Sequence, residues 1–212
     1  MLSIVLSRRD FREHDQIVSV YTKEKGKLSL LVRGVKKIVS KNSAHLEPFS
    51  IVDITVEKGK EVDYLTRVQS VDYLRKIREN LDKSLVAGYI VSIVDKLFAE
   101  EERDVKFFVF LESFLFAVNE LEDFNNQKAL LMLDSFMVNL LYFLGFTLSS
   151  EEKIVESSIF ELLTILEKSD FEEIFSLDFE LYSAKNVHRT IHTWCEHFLE
   201  RKVVNWALTC IV

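Results

Sequence analysis

The amino-acid sequence predicts an α+β protein, with a small closed β barrel at the N-terminus followed by an all-helical domain. Three observations carry that expectation. Apolar residues recur at every second position in short runs before residue 72, then at helical spacing from about residue 75. The charge changes at the same place, from a net +5 over residues 1–80 to −12 over residues 81–212. Fifteen of the 17 Phe lie beyond residue 80, where they supply bulk for a helical core. The expected domains are residues 1–75 and 76–212.

The strands follow in order. "LSIVL" opens the chain, and "QIVSVYT" (16–22) comes next. In "KLSLLVR" (27–33), Leu28, Leu30 and Val32 alternate with Lys27 and Arg33, which gives one apolar face and a basic outer one. "FSIVDITVEK" (49–58) places Val52, Ile54 and Val56 together, and "VDYLTRV" (62–68) places Val62, Tyr64, Thr66 and Val68 together. Five strands within about 70 residues form a barrel most economically, because closure removes exposed edges. The tetrapeptide "EKGK" occurs at 24–27 and 57–60, with Gly26 and Gly59 as hairpin residues tolerating positive φ. Neither copy has the spacing of a phosphate loop.

Among the helices, "LVAGYIVSIVDKLF" (85–98) spaces Leu85, Tyr89, Ile93 and Leu97 four apart, and residues 126–144 end at Gly145 as a C-cap. The run "ALLMLDSFMVNLLYFLGFTL" (129–148) imitates a membrane span. Asp134, Ser135 and Asn139 interrupt it and no basic flank orients it, so a buried helix is expected.

The composition is 48% hydrophobic and 29% charged, with one Pro (Pro48), five Gly and a net charge of −7. No linker or low-complexity tract stands out. Cys195 and Cys210 form no disulfide framework, and the N-terminal apolar run precedes its charges, the reverse of a secretory leader. A cytoplasmic location is expected. Within residues 4–41, ten Lys or Arg face four acids, a local patch that a polyanion senses over a Debye length of about 10 Å. The candidate phosphate-binding residues are Arg8, Arg9, Lys23, Lys25, Lys27, Arg33, Lys36, Lys37 and Lys41. Of the aromatic residues nearby, Phe11, Tyr21 and Tyr64, the last is assigned to the core, so electrostatics is expected to outweigh stacking. His188, His192 and Cys195 share a helical face but lack a fourth zinc ligand, and the acids at 100–104 and 120–123 read as solvated loops. With no phosphate loop, no Gly-x-Ser-x-Gly elbow and no metal triad, neither an enzyme nor a cofactor is expected.

The stretches "RRDFREHDQIVSVYTKEKGKLSLLVRGVKK" and "HLEPFSIVDITVEKGKEVDYL" resemble the N-terminal domain of the RecO family of bacterial DNA repair and recombination mediators. The matching residues are Phe11, Glu13 and Asp15, then Thr22, Gly26 and Lys27, then Arg33 and Gly34, and finally Leu46, Pro48 and Phe49. The resemblance runs over about residues 1–72 and thins downstream to helical character and "FLGF" at 143–146. It implies an OB-fold followed by a helical domain, with binding of single- and double-stranded DNA and annealing of complementary strands. It also implies action with RecR to load RecA on strands coated by the single-strand-binding protein, SSB. The SSB C-terminal tail would dock on the helical domain, where Lys185, Arg189, Arg201 and Lys202 form a candidate basic rim. A monomer associated with the nucleoid is expected. Many family members carry a four-cysteine zinc module after "LGF"; residues 147–180 contain no Cys, so no metal is expected there. The alternative is a repair-machinery adaptor whose barrel has weak or no DNA affinity.

Overall fold

Strict alternation over most of the first 70 residues produces five strands, β1 (Leu2–Asp10), β2 (Gln16–Thr22), β3 (Gly26–Val32), β4 (Ile51–Glu57) and β5 (Asp63–Asp72). The computed structural model describes residues 1–36, 45–146, 163–166, 171–176, 184–200 and 202. The strands close in the order β1-β2-β3-β5-β4, with β3–β5 the parallel pairing and the other pairings antiparallel. This is the five-stranded OB-type barrel that the resemblance implied. The chain divides into two compact units, Met1–Glu120 and Leu121–Val212.

Val5, Val18, Val20, Leu28, Leu30, Val32, Val52 and Ile54 fill the barrel, as alternation requires. β5 departs from the expected face. Val56 pairs with Leu65 and Thr55 with Arg67, so Thr66 is the extra residue of a β-bulge. The bulge shifts the alternation: Leu65 and Val68 point inward, while Val62 and Thr66 are exposed and Tyr64 leaves the core for the outer surface.

The two EKGK turns differ. Gly26 has φ 72°, and Thr22 Oγ1 closes its turn by donating to the Gly26 carbonyl (2.9 Å) and accepting from Lys25 N–H (3.0 Å). A Cβ on Gly26 would stand 2.0 Å from the Glu102 carbonyl oxygen. Gly59, expected to need positive φ, is required by close approach instead: its Cβ would meet the Val62 carbonyl oxygen at 1.9 Å and Tyr64 Cε2 at 2.8 Å.

After β5 come α1 (Arg75–Arg78), α2 (Leu81–Leu97) and α3 (Val105–Glu120). Asn80 caps α2 by accepting from Lys83 N–H (3.0 Å). The buried face of α2 is Val86, Ala87, Ile90, Val91, Ile93 and Val94, while Leu85, Tyr89 and Leu97 flank it half-buried. A strict spacing of four advances about 40° per step around a 3.6-residue turn, so the expected stripe drifts off the packed face. Helix α2 covers the outside of β1 and β2 through Asp95. That carboxylate accepts from Ser7 Oγ (2.7 Å) and Ser19 Oγ (2.6 Å) and lies 3.3 Å from Lys27 Nζ. Lys27 also donates to the carbonyls of Asp95 and Phe98. Tyr21, fully buried on the same side, meets Phe98 and Phe107 edge-on at 5.4 and 5.3 Å.

The second unit contains α4 (Asn126–Phe143), a helical segment α5 over 163–166, α6 (Phe171–Ser176) and α7 (Ala184–Phe198). Asn125 caps α4, and Gly145 (φ 89°) ends it as a Schellman motif, with Gly145 N–H on Tyr142 O and Phe146 N–H on Leu141 O (both 2.9 Å). Most of α4 is buried, and no helix among the described residues is long and apolar enough to cross a membrane. On α7, His188 Nδ1 donates to the buried Asp134 of α4 (2.9 Å), and Trp194 and Cys195 are buried.

Gly26→Ala combines a left-handed backbone with a clash against another backbone and is expected to cost about 2 kcal/mol or more in urea unfolding. At Asp95, burial pushes the carboxyl up, but hydrogen bonds from Ser19 and Ser7 and the Lys27 charge outweigh it and hold the group below its ordinary range. Its folded-state value is depressed, so its contribution is complete above an unfolded value of about 4 and is lost as pH falls through the folded value. Asp95→Ala is expected to cost about 2 kcal/mol at neutral pH. The gap to wild type should narrow as the pH drops below about 4; a gap independent of pH would show that ionisation of Asp95 is not what fastens α2.

Candidate nucleic-acid interface

One end of the barrel gathers exposed cations because three chain segments converge there. β1 and β2 pair through Arg9–Ile17 and Asp10–Gln16, β2 and β3 through Gln16–Val32, and β3 and β5 through Leu31–Tyr64. The loop 11–15, the residues after β3 and the start of β5 with the preceding loop 58–62 therefore lie side by side. Asp15 organises them. Its carbonyl accepts from Phe11 N–H (3.1 Å) and its carboxylate from Gly34 N–H (2.8 Å), while the His14 carbonyl accepts from Lys36 N–H (3.2 Å). Gly34 takes φ 64°, which turns the chain back under the loop. The result is an open cleft of about 410 Å³ lined by Arg12, Glu13, His14, Asp15, Arg33 and Gly34.

Of the nine candidate residues, this end holds Arg8, Arg9, Arg33 and Lys36. Arg9 and Arg33 are exposed and make no ion pair among the described residues. Arg8 pairs with Glu47 and Lys36 with Asp10, both at 2.9 Å. Gln16 donates to Asp10 (2.9 Å), and that bond with the Lys36 ammonium holds the Asp10 carboxyl below its usual range. Lys23 and Lys25 lie in the turn at the opposite end of β2, roughly 20 Å away for seven extended residues. Lys27 is corrected: it does occupy the outer face of β3, but α2 covers that face there and the ammonium is held by Asp95 and Phe98. Lys37 and Lys41 lie outside the described residues.

Some residues of the site were passed over. Arg12 is exposed in the loop with its guanidinium 5.1 Å from the Phe11 ring, and Lys58 and Lys60 are exposed in the loop before β5. Tyr64 carries the Arg33 guanidinium over its ring at 4.3 Å. Its position was readable from Leu65 and Val68, an apolar pair three apart that strict alternation cannot bury together. Tyr21 is unavailable as a stacking platform, being fully buried.

In the second unit, Arg189 and Lys202 are exposed. Arg201 and the side chain of Lys185 lie outside the described residues. His188 is engaged by Asp134, and burial with the nearby Asp134 charge pushes the Cys195 thiol up.

The residues that carried the family resemblance thus have definite structural tasks: Asp15 and Gly34 shape the cleft, Thr22 and Gly26 close a turn, and Lys27 ties the barrel to α2. Comparison with known families agrees. The N-terminal model of recombination protein O matches residues 2–74 and its C-terminal model residues 78–159. The chain belongs to the recombination protein O family. A protein from Desulforamulus reducens called "DNA repair protein RecO" is 32% identical over 113 residues, 53% of this chain and 44% of that protein. One of the same name from Shouchella clausii is 37% identical over 108 residues, 51% of this chain and 41% of that protein. A third, from Thermoanaerobacter sp., is 26% identical over 144 residues, 68% of this chain and 56% of that protein. The chain matches about half the length of these curated relatives.

Asp15→Ala removes the acceptor for Gly34 N–H. It is expected to cost about 1 kcal/mol in urea unfolding; an unchanged midpoint would show that the cleft is held by its backbone bonds alone.

Proposed function

We propose that the chain is a DNA repair and recombination mediator that binds single- and double-stranded DNA at the end of the barrel formed by loop 11–15, the residues after β3 and loop 58–62. The observation that carries this reading is the gathering of exposed Arg9, Arg12 and Arg33, without ion pairs among the described residues, at one end of an OB-type barrel, where Arg12 and Arg33 line an open cleft. Loops in these positions are where OB-folds bind oligonucleotides. Backbone phosphates release counterions on meeting such a surface, which makes binding general in sequence and dependent on salt. Screening two strands on one basic surface lowers their mutual repulsion, and annealing then needs no turnover chemistry or cofactor. Family membership supports the wider proposal that the protein acts with RecR to load RecA on SSB-coated strands. In that proposal it works in the cytoplasm at the nucleoid, as a monomer when alone, with the SSB tail meeting the second unit near Arg189 and Lys202.

A second reading, an adaptor with weak DNA affinity, is favoured by the ion pairs Arg8–Glu47, Lys27–Asp95 and Lys36–Asp10, which offset three of the candidate cations. Anisotropy titration of a labelled single strand over a salt series separates the two. Changing Arg9, Arg12 and Arg33 together to Ala is expected to make the slope of log K against log salt shallower by about 2, that is, three contacts at about 0.7 each. Changing Lys23 and Lys25 is expected to alter it less. A wild-type protein that binds no strand at low salt would leave the adaptor reading.

A further inference from the structure

Among the described residues of the first unit, three arginines rest on aromatic rings, and they differ in what they leave open. Arg78 is flanked by two rings, Phe49 at 4.3 Å and Tyr73 at 4.0 Å. Its Nε donates to the Tyr73 carbonyl, and its Nη2 donates to the Pro48 carbonyl and Ser50 Oγ. That guanidinium is a fastener between the end of β5 and the turn before β4. Arg12 rests on its own neighbour, Phe11, at the tip of an exposed loop. Arg33 stands 4.3 Å over Tyr64, is exposed, and makes no hydrogen bond or ion pair among the described residues.

Both members of the Arg33–Tyr64 pair are held from behind. Tyr64 is opposite Leu31 in the parallel β3–β5 pairing, and the Gly59 backbone runs so close to its ring that a Cβ would stand 2.8 Å from Cε2. Arg33 directly follows the last residue of β3, and the next residue is fixed by the 2.8 Å bond from Gly34 N–H to Asp15. A guanidinium ordered on one ring presents a second planar face, and such faces stack on nucleobases. We propose that Arg33, held over Tyr64, is a nucleobase-stacking subsite that takes one unpaired base of a single strand and so sets the strand preference of the interface. This rests on the DNA-binding reading above.

The base must be unpaired for a geometric reason. In a duplex each base is covered by its neighbours, so Arg33 reaches only phosphate there and acts as a point charge. Lysine at this position keeps the charge and loses the plane. Leucine at position 64 keeps apolar bulk and loses the ring that orders the guanidinium.

The full chain, with Arg33→Lys and Tyr64→Leu variants, is titrated by anisotropy against a labelled oligothymidylate strand, an abasic strand of equal length and a duplex. The wild type is expected to bind the base-bearing strand about tenfold more tightly than the abasic one, and each variant to bring that ratio close to one. Arg33 is exposed, so Arg33→Lys gives a folded test even where Tyr64→Leu does not. A ratio unchanged in Arg33→Lys overturns the stacking subsite and leaves Arg33 a phosphate contact, with the DNA-binding reading intact. Failure of the wild type to bind any of the three at low salt overturns that reading and the subsite together.

Discussion

The half-buried carboxylate of Asp95 is the constraint on which the first unit depends. A barrel of five short strands has a small interior, and its outer face must be covered on one side to form a larger core. Asp95 attaches that cover at three points on three strands, Ser7 of β1, Ser19 of β2 and Lys27 of β3. Each is an outward-facing position of its strand, so one side chain on α2 reads the alternation of half the barrel. Tyr21 and its edge-on contacts with Phe98 and Phe107 then fill the space beside the polar cluster. Without the carboxylate, a partly buried ammonium and two hydroxyls would face the helix with fewer acceptors, which is the costly arrangement.

That attachment also decides which cations are available. Lys27 lies at the start of β3 and Arg33 just past its end, six positions apart. One is under α2 and serves the fold, whereas the other lies beyond the helix and stays exposed. Charge counting cannot separate them, because both are basic residues at odd-numbered positions of one alternating run, "KLSLLVR". Their fates differ by where a helix from residue 81 onward happens to cover the sheet.

This is the pattern of what could be read from the residues. Strands β1 to β4, with the inward faces of β3 and β4, follow from a period of two, and Gly145 ends α4 because only a residue tolerant of positive φ closes that motif without strain. β5 was misread because a bulge at Thr66 changes the alternation by one residue, and that choice is made by the register with β4. The end of the barrel at which each cation lies was hidden for the same reason. It depends on which strands pair and on the crossover that sets β5 beside β3, both long-range facts. Arg12 counted in the charge yet gave no sign of lining a cleft, since the cleft exists only where Asp15 draws Gly34 across from another strand.

The acidic residues of the interface belong to the same economy of position. Asp10 and Asp15 lower the net positive potential of the cleft, yet they hold Lys36 and Gly34 where they are. Among the described residues, what remains without an ion pair there is Arg9, Arg12 and Arg33 with Lys58 and Lys60, each on a short tether from a strand end or a tight loop. A guanidinium keeps its charge at every physiological pH and offers a plane as well as donors, so few residues suffice for both phosphate contact and stacking. On the proposed function, few such groups meet phosphate, so binding releases few counterions. On the proposed function, that suits a protein whose task is to hold a strand briefly and pass it on, and it accounts for a chain of net charge −7 concentrating its usable positive charge at one end of a barrel.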